Sequence, residues 1–158
     1  MKKIILMGFL SFLVFACKSP DSATSTKTDT KSQVAIKGNW HLVSVNYPGS
    51  DVIKVTSFDL ADSKCFVGST WKFISNNNKG EMTLNSPKCS AYSTPITWFI
   101  NKEGQFVMKI LDASKAKTVK SGYVLRVANQ SDTSFQLIDR ITVGGNMADV
   151  VYQFEKIN

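Results

Sequence analysis

Lys37-Gly38-Asn39-Trp40-His41-Leu42-Val43-Ser44-Val45 joins a Gly-x-Trp to an apolar alternation. Successive side chains of a strand point to opposite faces, so Trp40, Leu42 and Ser44 are expected on one face and His41, Val43 and Val45 on the other. Gly38 lets the backbone enter the strand at close quarters, and Trp40 brings one of the largest apolar surfaces a single residue can bury. Downstream, turn residues recur at the short spacing of an all-β protein. Tyr47-Pro48-Gly49-Ser50 marks the first turn. Residues 51–67 are the least regular piece, extended over Val52–Val55 and allowing a short helical turn over 58–64. Strands are then predicted over 70–75, 81–84, 96–100 (introduced by Pro95), 105–111, 122–127, 135–141 and 148–154. With the opening strand these make eight, joined by sequential hairpins and with no βαβ pattern. Eight antiparallel strands in meander order can close on themselves, which removes exposed edges and leaves room for packed side chains or one small ligand. The expected inner face holds Trp40, Trp71, Phe73, Trp98, Phe106, Met108, Tyr123, Leu125, Phe135, Leu137, Tyr152 and Phe154.

The chain before this domain reads differently. Met1-Lys2-Lys3 is a positive start, and the apolar run from Ile4 to Phe15 is shorter than the roughly 20 residues a spanning helix needs. Val14-Phe15-Ala16-Cys17 resembles the lipobox of bacterial lipoproteins. The resemblance implies a signal peptide over 1–16, cleavage just before Cys17, and palmitate-type acyl chains on that cysteine as a membrane anchor. Lys18 follows with no acidic neighbour, so the resemblance points to the outer membrane, on its periplasmic or surface side. Residues 17–36, rich in Ser, Thr and Lys and without an aromatic residue, read as a lipidated, disordered tether. Residues 37–158 form the single domain, long enough for one sizeable core.

Gly38-x-Trp40 after such a tether, followed by Cys65-Phe66-Val67-Gly68-Ser69-x-Trp71-x-Phe73 and meandering strands, resembles the bacterial lipocalin-like lipoproteins. The resemblance implies an eight-stranded antiparallel up-and-down β-barrel. It also implies that Trp40 packs at the closed end under a late-strand arginine, Arg126 or Arg140, through a cation–π contact, with Arg140 favoured.

Composition and motifs exclude several classes. The formal net charge is +7, but Lys2 and Lys3 leave with the signal. From Gly38 onward thirteen Lys and Arg face ten Asp and Glu, about +3, too little and too scattered for nucleic acid. The one local basic cluster, Lys115, Lys117 and Lys120, reads as a solvated loop. With Cys17 taken by lipid, Cys65 and Cys89 remain in an exported chain, where a disulfide is the expected state. The single histidine, His41, has no partner for a metal site, and no carboxylate pair or phosphate loop is recognisable, so no cofactor, metal or enzymatic activity is expected. Two functions stay open for an expected monomer. One is a carrier that binds a small hydrophobic molecule, lined by Trp71, Phe73, Trp98, Phe106, Met108, Tyr123, Leu125, Phe135 and Tyr152. The other is a structural or protein-interaction module of the envelope whose barrel those side chains fill.

Overall fold

The structure is a computed structural model and describes residues 30–112, 119 and 122–157. A short helix, α1 (Thr30–Ile36), leads into β1 (Gly38–Asn46). A small hairpin, β2 (Thr56–Ser57) and β3 (Ala61–Asp62), follows, and then a 3-10 turn at Ser63–Phe66. The remaining strands are β4 (Thr70–Ile74), β5 (Lys79–Leu84), β6 (Tyr92–Ile100), β7 (Gln105–Ile110), β8 (Tyr123–Ala128), β9 (Ser134–Val143) and β10 (Asn146–Lys156). β1 and β4 to β10 form one closed antiparallel barrel in meander order. Closure falls on β1, which pairs with β4 through Gly38–His41 and with β10 through Trp40–Asn46.

The expected alternation of β1 holds only for its first half. The register against β10 slips between Leu42 and Ser44, so that Leu42 faces Phe154 and Ser44 faces Gln153. An extra residue in one strand reverses the facing of all that follows. Val45 therefore enters the core at 8% exposure, while Val43 is left outside at 39% and Ser44 is half-buried. Trp40, Leu42 and Val45, not Ser44, make the inner face of this strand.

Residues 30–36 also differ from expectation, since a helix replaces the end of the disordered tether. Gln33 and Ile36 lie three apart, on one helical face, and both are buried. The Gln33 amide donates to the Ser75 carbonyl at 2.9 Å and to Asn78 Oδ1 at 2.6 Å, and its carbonyl accepts from the Ile100 N–H at 3.3 Å. Trp40 Nε1 donates to the Ile36 carbonyl at 2.7 Å, which satisfies one of the open acceptors at the helix end. Helix α1 thus seals the barrel end formed by the β4–β5 and β6–β7 turns. Gly38, at φ +129°, makes the turn from helix to strand in a backbone region that favours glycine.

The inner face carries the residues expected of it. Phe135 and Phe154 stack at 4.7 Å, Trp98 and Phe106 at 5.6 Å, and Phe73 meets Trp98 edge-on at 5.0 Å. Gly80 allows the strands to approach closely at this level, since a Cβ there would lie 2.5 Å from the Lys72 carbonyl oxygen.

Candidate ligand site at the open end of the barrel

The end opposite α1 is covered by the long connection between β1 and β4. Its tip, Phe58-Asp59-Leu60, joins β2 to β3 and turns inward. Phe58 is only 5% exposed. Its ring stacks on Tyr152 at 5.2 Å and meets Tyr123 at 5.2 Å, Phe66 at 5.3 Å and Trp71 at 6.3 Å. Three polar contacts hold the tip. Tyr123 Oη donates to the Phe58 carbonyl at 2.6 Å and lies 3.3 Å from Asp59 Oδ2, and Ser57 Oγ bonds Tyr152 Oη at 2.6 Å.

Local chemistry explains why the connection folds this way. The helical turn expected over 58–64 forms later, at 63–66, because Asp62 caps it by accepting from the Lys64 N–H at 2.9 Å. Cys65 on that turn is bonded to Cys89 on the β5–β6 loop, with Cα atoms 5.8 Å apart, as expected from the sequence. Ser63 is fully buried, and its hydroxyl has no hydrogen-bond partner among the described residues.

Beside the hairpin and the disulfide lies a cavity of about 440 Å³. Leu60, Ala61, Leu84, Ala91 and Tyr92 supply most of its wall, and Lys88 is its one charged residue. A second hollow, of about 290 Å³, lies on the outer wall among Asn39, Thr70, Lys72, Glu81 and Thr83.

Burial decides the protonation of the polar groups beneath the hairpin. It pushes the Tyr123 hydroxyl up to about 12, with the charge of Asp59 adding to the effect, and it raises Tyr152 in the same direction. Both stay neutral hydroxyls at physiological pH. Burial also raises the Asp139 carboxyl, reinforced by the charge of Asp59 and opposed by a backbone hydrogen bond at Arg140.

The expected site residues separate into two groups. Phe73, Trp98, Phe106, Met108, Leu125 and Phe135 pack in the core. Trp71, Tyr123 and Tyr152 reach the open end, where they enclose Phe58. The arginine expected over Trp40 is not there. Lys156, the cross-strand partner of Trp40, places Nζ 5.6 Å from its ring. Arg140 and Arg126 instead reach Asp149 on the barrel exterior, at 3.9 Å and 2.9 Å. Cys17, the signal peptide, most of the tether and Lys115, Lys117 and Lys120 lie outside the described residues. Phe58, Leu84, Lys88 and Tyr92 were not singled out by the sequence. The one available signal was an aromatic residue in an otherwise irregular, polar connection.

A meander of eight antiparallel strands, sealed by a helix at one end and covered by a hairpin at the other, defines a calyx-type barrel. The chain belongs to the lipocalin-like domain family, whose profile matches residues 36–137. Among solved structures, it is similar to a complex of bovine odorant binding protein with a selenium-containing odorant. That match has 11% identity, a TM-score of 0.47, and covers 80% of this chain and 73% of the other. The odorant-binding protein from bovine nasal mucosa matches at 10% identity and TM-score 0.46, over 85% of this chain and 77% of that one. No protein with a curated description matches the sequence.

Proposed function

We propose that this chain is a non-enzymatic binding module of the cell envelope, anchored by lipid on Cys17, that takes one small, mostly apolar molecule at the open end of its barrel. The observation that carries this reading is the cavity of about 440 Å³ beside the β2–β3 hairpin, with an apolar wall and Lys88 as its one charged residue. Pockets of this size and character are where small molecules bind. The outer membrane is the proposed location. An anchor at Cys17 would join the domain at α1, on the sealed end, and so leave the mouth at the far end from the attachment.

Native mass spectrometry of the purified full chain, followed by titration with fluorescent fatty acids, tests the binding. Saturable one-to-one quenching of tryptophan emission, or a co-purified small molecule, is the expected result. The anchor is tested separately by labelling cells with radioactive palmitate, where Cys17→Ser should abolish incorporation. The packed core, with Trp98 stacked on Phe106 and Phe135 on Phe154, favours a second reading as a filled interaction module. That reading gains if neither a bound mass nor saturable quenching is seen.

A further inference from the structure

Phe58 is an aromatic ring held inside a box of aromatic rings by its own chain. We propose that the β2–β3 hairpin is a built-in occupant of the ligand site, and that the site takes a compact, neutral aromatic molecule with a hydrogen-bond acceptor beside its ring. This rests on the reading of the barrel as a binding module and names the ligand class.

The box is built from four separate elements. Phe66 comes from the 3-10 turn, Trp71 from β4, Tyr123 from β8 and Tyr152 from β10, with ring centroids 5.2 to 6.3 Å from that of Phe58. Stacked and edge-on walls favour a flat ring over a saturated one of equal size, because the ring quadrupole sets the geometry. The acceptor requirement comes from Tyr123, whose hydroxyl donates to the Phe58 carbonyl at 2.6 Å. Phe58 therefore presents a benzyl group and, one carbon beyond it, a carbonyl, and hydrocinnamamide presents the same pair at the same spacing. A carboxylate is disfavoured, because Asp59 Oδ2 lies 3.3 Å from the same hydroxyl and half-buried Asp139 adds to the negative field.

The occupant is also replaceable. Phe58 and Asp59 both hold left-handed backbone, at φ 54° and 50°, a region unfavourable for residues with a Cβ. The hairpin's own ladder is short: the pairs Thr56–Asp62 and Ser57–Ala61, with the Leu60 N–H donating to the Ser57 carbonyl at 3.1 Å and the Ser63 N–H to the Val55 carbonyl at 2.8 Å. Leu60 and Ala61, on the same hairpin as Phe58, border the cavity of about 440 Å³, so the hairpin that carries the ring also forms part of that cavity's wall. A ligand competing with such an occupant binds with an affinity reduced by the fraction of molecules in which the hairpin is out.

Calorimetric titration of the full chain with hydrocinnamamide, cyclohexylpropanamide and hydrocinnamate tests the inference in the parent and in Phe58→Ala. Removing the ring should tighten hydrocinnamamide binding by about tenfold and leave both analogues about tenfold weaker than hydrocinnamamide. An unchanged affinity, or equal binding of the saturated analogue, overturns the inference. If Phe58→Ala lacks the near-ultraviolet circular dichroism of the parent, Ser57→Ala replaces it. That variant keeps the ring but loses the bond to Tyr152, and should tighten hydrocinnamamide binding by about threefold; no change would overturn the inference. Saturable fatty-acid binding without hydrocinnamamide binding removes the aromatic site alone, whereas failure of both ligands in all variants removes the binding module with it.

Discussion

Trp40 shows how much a single side chain can organise. Its indole N–H donates to the Ile36 carbonyl at 2.7 Å, its ring meets Phe135 edge-on at 4.7 Å, and Lys156 lies over it at 5.6 Å. Trp40→Phe leaves the buried Ile36 carbonyl without its donor and opens a gap where the second ring was. The two effects together should cost about 3 kcal/mol, measured by urea unfolding. Lys156→Ala removes only an exposed cation–π contact and should cost about 0.5 kcal/mol in the same assay. The tryptophan was legible in the sequence because a large aromatic residue after a glycine at the domain start has few other uses. Its covering cation was not. That contact depends on the β1–β10 register, which pairs residues more than a hundred positions apart, and no local pattern marks Lys156 over Arg140.

At the level of elements, strands bounded by turn residues were readable and the irregular connections were not. Pro95 was expected to begin a strand, yet β6 runs through it from Tyr92. The proline stands where the β6–β7 ladder ends, beyond the Ile96–Ile110 pair, and there its missing N–H costs least. The β1 bulge was invisible because Val43, Ser44 and Val45 fit either facing. Helix α1 was hidden by a polar composition in which only Gln33 and Ile36 are buried. Phe58 was passed over because its burial depends in part on Tyr123 and Tyr152, rings distant in sequence. The disulfide was legible by count, and it ties this connection to the β5–β6 loop across 24 residues. In the chain-entropy account a loop of that length contributes about 3 kcal/mol. Replacing both Cys65 and Cys89 by serine should lower stability by about that amount in urea unfolding. Hydrogen exchange should then accelerate in the β2–β3 hairpin well before it does in β9 and β10, because the hairpin's ladder is short and the disulfide anchors the turn on its C-terminal side.

For the whole molecule, the charge balance matters less through its net value than through the carboxyl groups gathered at one end. Asp139 on β9 and Asp59 on the hairpin act on each other and on Tyr123, whereas Asp149 is spent on the arginines outside. Burial raises the Asp139 carboxyl above its ordinary value of 3.8, so folding favours its protonated form. Just above that pH the folded chain holds a proton that the unfolded chain has released. Stability contributed by this group is therefore full at lower pH, falls as the pH rises through the raised value, and levels off beyond it. Asp139→Asn removes the loss. The variant should be more stable than the parent at pH 7, while the two should converge at a pH well below 3.8. Urea midpoints of both chains, measured from pH 3 to pH 7, give the comparison, and the difference between the curves isolates Asp139 from the other titrating groups. A difference that stays constant with pH would mean that Asp139 is as well solvated in the folded barrel as in the open chain. The same comparison bears on the open end, because ionised Asp139 repels Asp59 at the hairpin tip. Exchange at Phe58 and Asp59 should therefore slow in Asp139→Asn at pH 7 and match the parent at low pH.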